Sequence, residues 1–356
     1  MKWTFFPIAQ FERLAPTWNA LNAGAGDLPF LHSRFILPLC DAFGDRNLKI
    51  ALCEDTPGPL AMGVLSRRGL AYWESFQPSQ LPVGAWVMRP DQDFERLLSS
   101  LAKNLPGVAL LIGVTQQDPG CVPRPMKSSS LHTLDYIQTA RVPVTGTFDD
   151  YWSVRGKNLR HNMKRQQAKL AQDGVATRLE ILTRAEEVGP AIEDYGRLES
   201  VGWKAASGTA ISSDNTQGRF YRSVLEAFCR AGKGRIYRYR FGERVVAVDL
   251  CIESGGALVI LKTTYDESLK PISPAFLMRQ EAFRKLFEEG QIKRIEFYGR
   301  VMEWHTKWSN DVRTMYHVNY YRWPFLPKIR RMAMKMRMTR DNPADNPAST
   351  GTPQES

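Results

Sequence analysis

The sequence predicts an α/β protein in which mixed, mostly antiparallel sheets are flanked by helices. Residues 235–241 alternate between polar and aromatic or aliphatic side chains, which is typical of a half-buried strand. Glycine-containing turns at 242–243 and 254–256 separate this run from two further runs, 244–253 and 257–265. Three runs joined by such short turns predict an antiparallel meander. Helical patterns come before and after it, which indicates a sheet covered by helices.

Three helices are predicted ahead of the meander. Over 151–172, the apolar residues Leu159, Met163 and Leu170 lie on one side and basic residues on the other, and Gly174 predicts the helix end. Residues 186–200 and 217–231 predict two more helices, and the second carries a wide apolar stripe.

A fourth helix and two closing strands are predicted after the meander. Ser273 and Pro274 predict a helix start, with a hydroxyl N-cap and proline at the first helical position. Gly290 predicts the end of this helix. Residues 292–297 and 312–321 then predict the closing strands.

The first 140 residues predict mainly short strands separated by turn clusters. We expect strands at 48–53 and 60–65, a helix over 93–103 and a buried strand at 108–114. These residues contain no recognised chemical motif, so the functional prediction rests on the second half of the chain.

The length of 356 residues favours two domains, because a single hydrophobic core rarely organises so long a chain. Residues 142–150 are the predicted boundary. We expect domains at 1–145 and 146–325, followed by a tail at 326–356 that is first basic and Met-rich and then disordered. The last part is rich in Pro, Ser and Thr and lacks the apolar residues that a core requires.

Composition indicates a cytoplasmic protein without a metal centre. The five cysteines are scattered and have no C-x-x-C spacing, which argues against both a disulfide framework and a zinc site. The apolar run near the N-terminus is cut by Pro7, which is too early for a signal peptide. The sequence has no P-loop and no H-E-x-x-H or G-x-S-x-G motif.

A net charge of +11 and a pI near 9.5 favour an anionic partner. Two basic stretches, 155–169 and 328–340, are the predicted contact surfaces for an acyl carrier protein, tRNA or an anionic membrane. A solvated helix face has the same composition as the first stretch. The second has no Trp or Leu anchor and its methionines alternate, so we expect a flexible basic arm there.

Four stretches in the second half resemble the FemAB-like and cellulose-biosynthesis-type (BioF2-like) acetyltransferase domains of the GNAT superfamily. These are the basic helix that ends at Gly174, the run Glu199-Ser-Val-Gly-Trp-Lys204, the run Leu261-Lys-Thr-Thr-Tyr-Asp266 and the run Ser273-Pro-Ala-Phe-Leu277. The N-terminal run Leu28-Pro-Phe-Leu31 is similar to the opening of such proteins. The chain departs from the family pattern at Ala275, where Gly is usual, and at Arg300, where an acid usually follows Gly299.

The resemblance implies tandem GNAT-like domains, the first one degenerate, and an acyl-CoA donor such as acetyl-CoA. The helix that begins at Pro274 is the predicted site of the donor's pyrophosphate, because a helix N-terminus offers free N–H groups and partial positive charge. An ordinary capped helix has the same sequence. The predicted donor-binding residues are Lys270, Ser273, Pro274, Ala275 and Phe276.

Acyl transfer to an amine requires an acid or base and support for an oxyanion. Tyr265 and Asp249 lie on the meander strands where the resemblance implies the thioester, although Asp249 can instead face solvent. The residues Glu303, His305 and Lys307 alternate, so an extended segment would place them on one face as a catalytic cluster. The predicted substrate-binding residues are Trp203, Lys204, Lys262 and Trp304.

Three functions remain open from the sequence. The first is an acyl-CoA-dependent N-acyltransferase acting on a small-molecule amine, such as an amino sugar or an intermediate of exopolysaccharide or cell-envelope synthesis. The second is a FemAB-like aminoacyl transferase that uses charged tRNA. The third is a non-catalytic GNAT-like module that binds an envelope-biosynthesis complex.

Overall fold

One mixed sheet runs through the computed structural model, which describes residues 1–200, 211–212 and 214–332. The sheet has thirteen strands among these residues. They are β1 (Lys2–Pro7), β2 (Lys49–Asp55), β3 (Gly58–Arg67), β4 (Tyr72–Ser75), β5 (Trp86–Met88), β6 (Leu111–Gln117), β7 (Leu131–Pro143), β8 (Thr177–Leu182), β9 (Gly234–Phe241), β10 (Arg244–Ser254), β11 (Ala257–Tyr265), β12 (Arg294–Glu296) and β13 (Asp311–Tyr321).

Nine α-helices in the described ranges flank this sheet. They are α1 (Phe11–Gly24), α2 (Ser33–Phe43), α3 (Phe94–Asn104), α4 (Phe148–Ser153), α5 (Lys157–Gln172), α6 (Ala185–Ser200), α7 (Thr216–Arg230), α8 (Pro274–Glu289) and α9 (Glu303–Trp308). Residues 326–332 form a further helical turn. Each described helix is too short or too polar to span a lipid bilayer.

The strands follow the order β1-β2-β3-β4-β6-β13-β7-β12-β11-β10-β9-β8, and β5 pairs with β3. Only β4 with β6 and β11 with β12 run parallel, and the other pairs are antiparallel. The predicted fold class, mixed and mostly antiparallel sheet flanked by helices, is confirmed. The division of the chain at residues 145 and 325 stays a prediction.

The last strand, β13, lies between β6 and β7, far from its neighbours in the sequence. Tyr320 of β13 pairs with Ile112 on one side and with Leu131 on the other. β7 then continues the sheet by pairing with β12, so that it connects the strands of the first half to the meander. Because β13 inserts here, the end of the chain completes the part of the sheet that its beginning builds.

The two faces of the meander pack against different helices. Ile236, Val248 and Ile252 belong to a core with α1, α2, α6 and α7. Tyr237 and Cys251 belong to a second core with α4, α5 and α8. This assignment follows from the alternation of side chains along a strand. The predicted meander is therefore confirmed, with helices on both faces.

Several sequence predictions about helices and strands were wrong in detail. The predicted helix over 151–172 is interrupted, because α4 ends at Ser153 and α5 begins after the N-cap Gly156. The predicted strand at 108–114 begins only at Leu111, and Val108 is exposed. The prediction of mainly strands in the first 140 residues missed α1 and α2.

The predicted flexible arm at 328–340 also needs correction where the structure describes it. Residues 328–332 are helical, continuing a turn that begins at 326. Residues 333–356, including the predicted disordered part, lie outside the described residues.

Phe35 of α2 joins the helices of the two halves, so its truncation tests how strongly they are coupled. Its fully buried ring makes edge contacts with Phe30 and with Phe220 of α7, at centroid distances of 5.3 and 5.4 Å. We expect Phe35→Ala to lower the free energy of unfolding by about 3–5 kcal/mol, because it leaves a cavity in a packed core. Urea denaturation measures the change. The exposed Leu134, changed to Ala, serves as the control, and equal losses for the two variants would contradict the prediction.

Candidate functional site

The parallel strands β11 and β12 pair over only three residues and then separate. Val259 is the last residue of β11 in this pairing, opposite Glu296. The register between β10 and β11 shifts just beyond it, because Leu250 faces Lys262 while Cys251 faces Ile260. Such a bulge bends a strand locally. After β12, the Phe297 N–H donates to Ala140 O of β7 at 3.2 Å, so the chain leaves β11.

A cavity of 530 Å³ lies beside the separated part of β11. Its lining comes from β11, from the start of α8 and from the segment after β12. The lining residues are Thr263, Tyr265, Lys270, Ser273, Ala275, Phe276, Arg279, Met302 and Trp304. The volume is in the range of small-molecule sites. Six residues that the sequence predicted as functional therefore line one cavity.

The start of α8 forms one wall of this cavity. Pro274 is the first helical residue, as predicted, but the predicted N-cap hydroxyl is wrong. Ser273 adopts the left-handed conformation (φ 57°) instead of the extended backbone of a serine cap, and its hydroxyl donates to Lys270 O at 3.3 Å. The Phe276 and Leu277 N–H groups donate to Ser273 O. In the described part of the chain, the Ala275 N–H has no backbone acceptor, so it is the amide free to meet a ligand.

Arg279 forms the floor of the cavity, although its side chain is almost fully buried. Its Nη2 donates to Asp249 Oδ2 at 3.3 Å and to Thr263 Oγ1 at 3.1 Å. The guanidinium also lies 4.9 Å from the ring centroid of Trp304 and 5.9 Å from that of Trp308. Among the described residues, its Nε has no hydrogen-bond partner. The buried guanidinium thus places a positive charge beside the cavity.

Asp249 is buried under the cavity, which excludes the solvent-facing alternative. It sits opposite Thr263 in the sheet and forms an ion pair with Arg279. Burial raises the pKa of the Asp249 carboxyl, and the Arg279 charge opposes that rise. Asp249 does not line the cavity, so its contact with a ligand there is indirect, through Arg279.

The predicted cluster of Glu303, His305 and Lys307 does not exist, because the segment is the helix α9 and not an extended strand. Glu303 and Lys307 are one helical turn apart and form an exposed ion pair of 3.3 Å. His305 lies on the buried side, where its Nδ1 accepts the Met302 N–H at 2.9 Å. Burial, together with the Arg279 charge, lowers the pKa of His305 to about 4. The imidazole is therefore neutral near pH 7.

Two predicted residues on β11 point in different directions. Tyr265 lines the cavity. The pKa of its hydroxyl is raised mainly by burial and to a smaller extent by the negative charge of Glu267. Lys262 lies elsewhere, with its Nζ 5.7 Å from the ring centroid of Tyr221 on α7. The predicted substrate residues Trp203 and Lys204 lie outside the described residues.

Sequence reasoning missed three lining residues, of which Arg279 matters most. Ala275, Arg279 and Phe283 are spaced by four residues, so they share the buried face of α8. A charged residue within an apolar helical stripe is the signal that would have identified it. Thr263 and Met302 carry no comparable signal in the sequence.

Residues 157–306 match the family described as Acetyltransferase (GNAT) domain. This stretch of the chain is therefore similar to GNAT acetyltransferase domains. All nine lining residues fall within the matched range, so the cavity lies in the part of the chain that is similar to these domains. GNAT domains generally use acyl-CoA donors. No curated protein matches the chain in sequence.

Solved structures share the fold across almost the whole chain, at identities that support no closer relationship. FemX is 8% identical, with a TM-score of 0.55, and the match covers 92% of this chain and 100% of FemX. The C-terminal domain (DUF2156) of a putative lysylphosphatidylglycerol synthetase from Agrobacterium fabrum is 13% identical, with a TM-score of 0.52, over 88% of this chain and 96% of that one. A protein of unknown function from Bacteroides thetaiotaomicron is 9% identical, with a TM-score of 0.52, over 90% and 99%.

The described residues offer no ligand set for a metal ion. Within those residues there is no group of three or more His, Cys, Asp or Glu side chains that could hold an ion.

The neutral, buried His305 predicts an acid-sensitive fold. Its pKa lies below that of the unfolded chain, so the unfolded state binds more protons between about pH 6.5 and 4, and stability falls as the pH drops through this range. We expect His305→Gln, which keeps an acceptor for the Met302 N–H, to show a smaller loss of unfolding free energy than the wild type. Urea denaturation at a series of pH values measures it. An equally reduced pH dependence of the unfolding free energy in the exposed His161→Gln variant would show that the effect does not come from His305.

Proposed function

We propose that the GNAT domain transfers an acyl group from acyl-CoA to the amine of a small-molecule acceptor. The observation that carries the proposal is the separation of β11 from β12 next to the start of α8. This arrangement leaves a cavity that contacts both a strand edge, where a thioester can lie, and a helix N-terminus, where a pyrophosphate can bind.

Donor binding is assigned to the lip of the cavity formed by Lys270, Ser273 and Ala275. The Ala275 N–H is free, the helix dipole points its positive end outward, and the Lys270 ammonium adds a charge. Ala275 stands where similar domains usually have glycine. The methyl group of Ala275 lines the cavity wall, so a bound anion must lie beside this methyl group to contact the Ala275 N–H.

Catalysis is assigned to positioning and to two polar side chains inside the cavity. The acceptor nitrogen attacks the thioester carbonyl, the C–S bond then breaks, and the departing thiolate takes up a proton. Tyr265 lines the cavity and can supply that proton, while water removes one from the attacking amine. The Arg279 guanidinium lines the cavity, and its positive charge can stabilise the negative charge that develops on the carbonyl oxygen.

The acceptor class rests on the sequence resemblance to envelope and exopolysaccharide enzymes. We propose an amino sugar or a related envelope intermediate. An assay with acetyl-CoA and a panel of amino sugars, amino acids and polyamines tests this class. Acetylation of polyamines alone would replace it.

Reversing the charge at the lip tests donor binding. We expect Ser273→Asp to weaken CoA and acetyl-CoA binding at least tenfold, because the new carboxylate repels the negatively charged pyrophosphate. Aspartate tolerates the left-handed backbone of Ser273, so the fold should persist.

Calorimetry with CoA and acetyl-CoA measures the effect. Ser223→Asp, on an exposed position of α7, is the matched control. No heat from the wild type with either ligand would remove the donor assignment. If the wild type binds neither ligand but binds aminoacylated tRNA in a salt-sensitive manner, the aminoacyl transferase would be favoured.

Removing the Tyr265 hydroxyl tests the proposed acid. We expect Tyr265→Phe to lower kcat by about 10²-fold while leaving the KM for acetyl-CoA nearly unchanged, because only proton transfer is lost. Steady-state kinetics measure both constants. Tyr136→Phe, an exposed tyrosine on β7, is the control. An unchanged kcat would assign the proton to water or to another group.

A further inference from the structure

Six large apolar side chains are exposed beside one end of the strands β4, β6 and β13, and none of them lines the cavity. Their exposed fractions run from 44% to 89%, and a group of exposed apolar side chains, unlike a single one, marks an interaction surface. We name this surface the apolar tip. It consists of Leu70, Val108, Trp323, Phe325, Ile329 and Met332.

Backbone hydrogen bonds hold the three segments of the apolar tip side by side. Ala71 O accepts from Leu110 N at 2.9 Å, which joins the loop of Leu70 to the loop of Val108. Leu110 O in turn accepts from Arg322 N at 2.9 Å, which joins both loops to the segment after β13. The apolar side chains therefore project from one continuous edge.

The segment after β13 turns its own apolar residues outward. Phe325, Ile329 and Met332 are spaced by four and three residues around the helical turn 326–332, so they share one side of it. Trp323 stacks on Phe325 with a centroid distance of 5.6 Å. On the inner side, Arg330 Nη1 donates to the Tyr321 hydroxyl at 3.2 Å and ties the turn to the sheet.

Basic side chains surround the apolar tip. Those exposed on the same three segments and on the end of α3 are Arg67, Arg68, Lys103, Lys328 and Arg331. Glu74 pairs with Arg68 and offsets one of these charges. The sequence adds Lys335, Arg337 and Arg340 just beyond the described residues.

We propose that the apolar tip and its basic rim bind the surface of an anionic lipid bilayer. Aromatic and aliphatic side chains insert among the headgroups, while Lys and Arg contact lipid phosphates. Charge complementarity selects this partner. A second copy would bring basic rim against basic rim, and a nucleic acid would leave four aliphatic side chains without a partner.

Vesicle sedimentation with the full-length chain tests the proposal. We expect binding to phosphatidylcholine vesicles that contain phosphatidylglycerol, weaker binding as salt increases, and little binding to pure phosphatidylcholine. The double variant Trp323→Ser, Phe325→Ser should lower the partition coefficient at least tenfold, since two inserted rings are lost. Subtracting the emission spectrum of Trp323→Phe from that of the wild type isolates the emission of Trp323. We expect the maximum of this difference spectrum to move to shorter wavelength when anionic vesicles are added.

Matched variants separate this surface from the basic helix α5. Lys328→Glu with Arg331→Glu should reduce vesicle binding strongly, whereas Lys164→Glu with Arg165→Glu on α5 makes the same charge change and should reduce it little. Met126→Ser with Leu134→Ser controls for the loss of two exposed apolar side chains elsewhere. Circular dichroism and thermal unfolding verify that each variant is folded.

Three results would overturn the proposal. One is a wild type that stays in the supernatant with anionic vesicles at low salt. Another is an equal loss of binding for the α5 pair and the rim pair. The third is a dimer in solution that the Trp323→Ser, Phe325→Ser variant dissociates, which would assign the surface to a second copy. None of these readouts depends on acyl-CoA, so they are independent of the proposed transfer reaction.

Discussion

Beyond Val259, β11 has lost its parallel neighbour, and side chains from α8 and from the segment after β12 take the place of a strand. Arg279 contributes most, because its guanidinium reaches Thr263 and Asp249 across the gap and lies near the ring of Trp304. A strand edge opened inside a sheet leaves polar backbone groups that need partners. One of these groups is met from the other face of the sheet, where the Tyr195 hydroxyl donates to Thr263 O at 3.2 Å.

The buried Asp249–Arg279 ion pair carries a desolvation cost, so both of its members must be present together beside the cavity. Two charges removed from water are compensated only when both stay paired, and losing one partner of such a pair costs several kcal/mol. The pair contributes little net stability compared with apolar residues of the same volume. What it provides is a fixed guanidinium at the cavity floor, with Trp304 and Trp308 keeping water from its flanks. An electrophilic group held in advance is the requirement for stabilising a developing oxyanion.

Local patterns were sufficient to predict the meander and the start of α8, because turns, alternation and the Ser273-Pro274 step are short-range signals. They failed where tertiary structure overrides local preference. α1 and α2 were missed because each contains a proline, at 16 and 38, although both helices continue through it. The alternation from Glu303 to Lys307 predicts an extended segment, but these residues form a short helix that buries His305. Arg279 could not be predicted as a lining residue, because the sequence does not show which side of α8 faces the separated strands.

The first half of the chain helps to hold the strands apart, although it provides no lining residue of the cavity. Tyr298, two residues beyond β12, has a left-handed backbone (φ 48°), which is strained for a tyrosine and persists only if its surroundings hold it. Its hydroxyl donates to Asp118 Oδ2 at 2.6 Å, and Asp118 is held in turn by two hydrogen bonds from Arg313 of β13. Arg313 also lies 3.0 Å from Glu296 at the end of β12. The segment turns away from β11 where this buried network fixes it. Because Asp118 follows β6 and Arg313 belongs to β13, the shape of the cavity depends on the strand that inserts into the first half of the sheet.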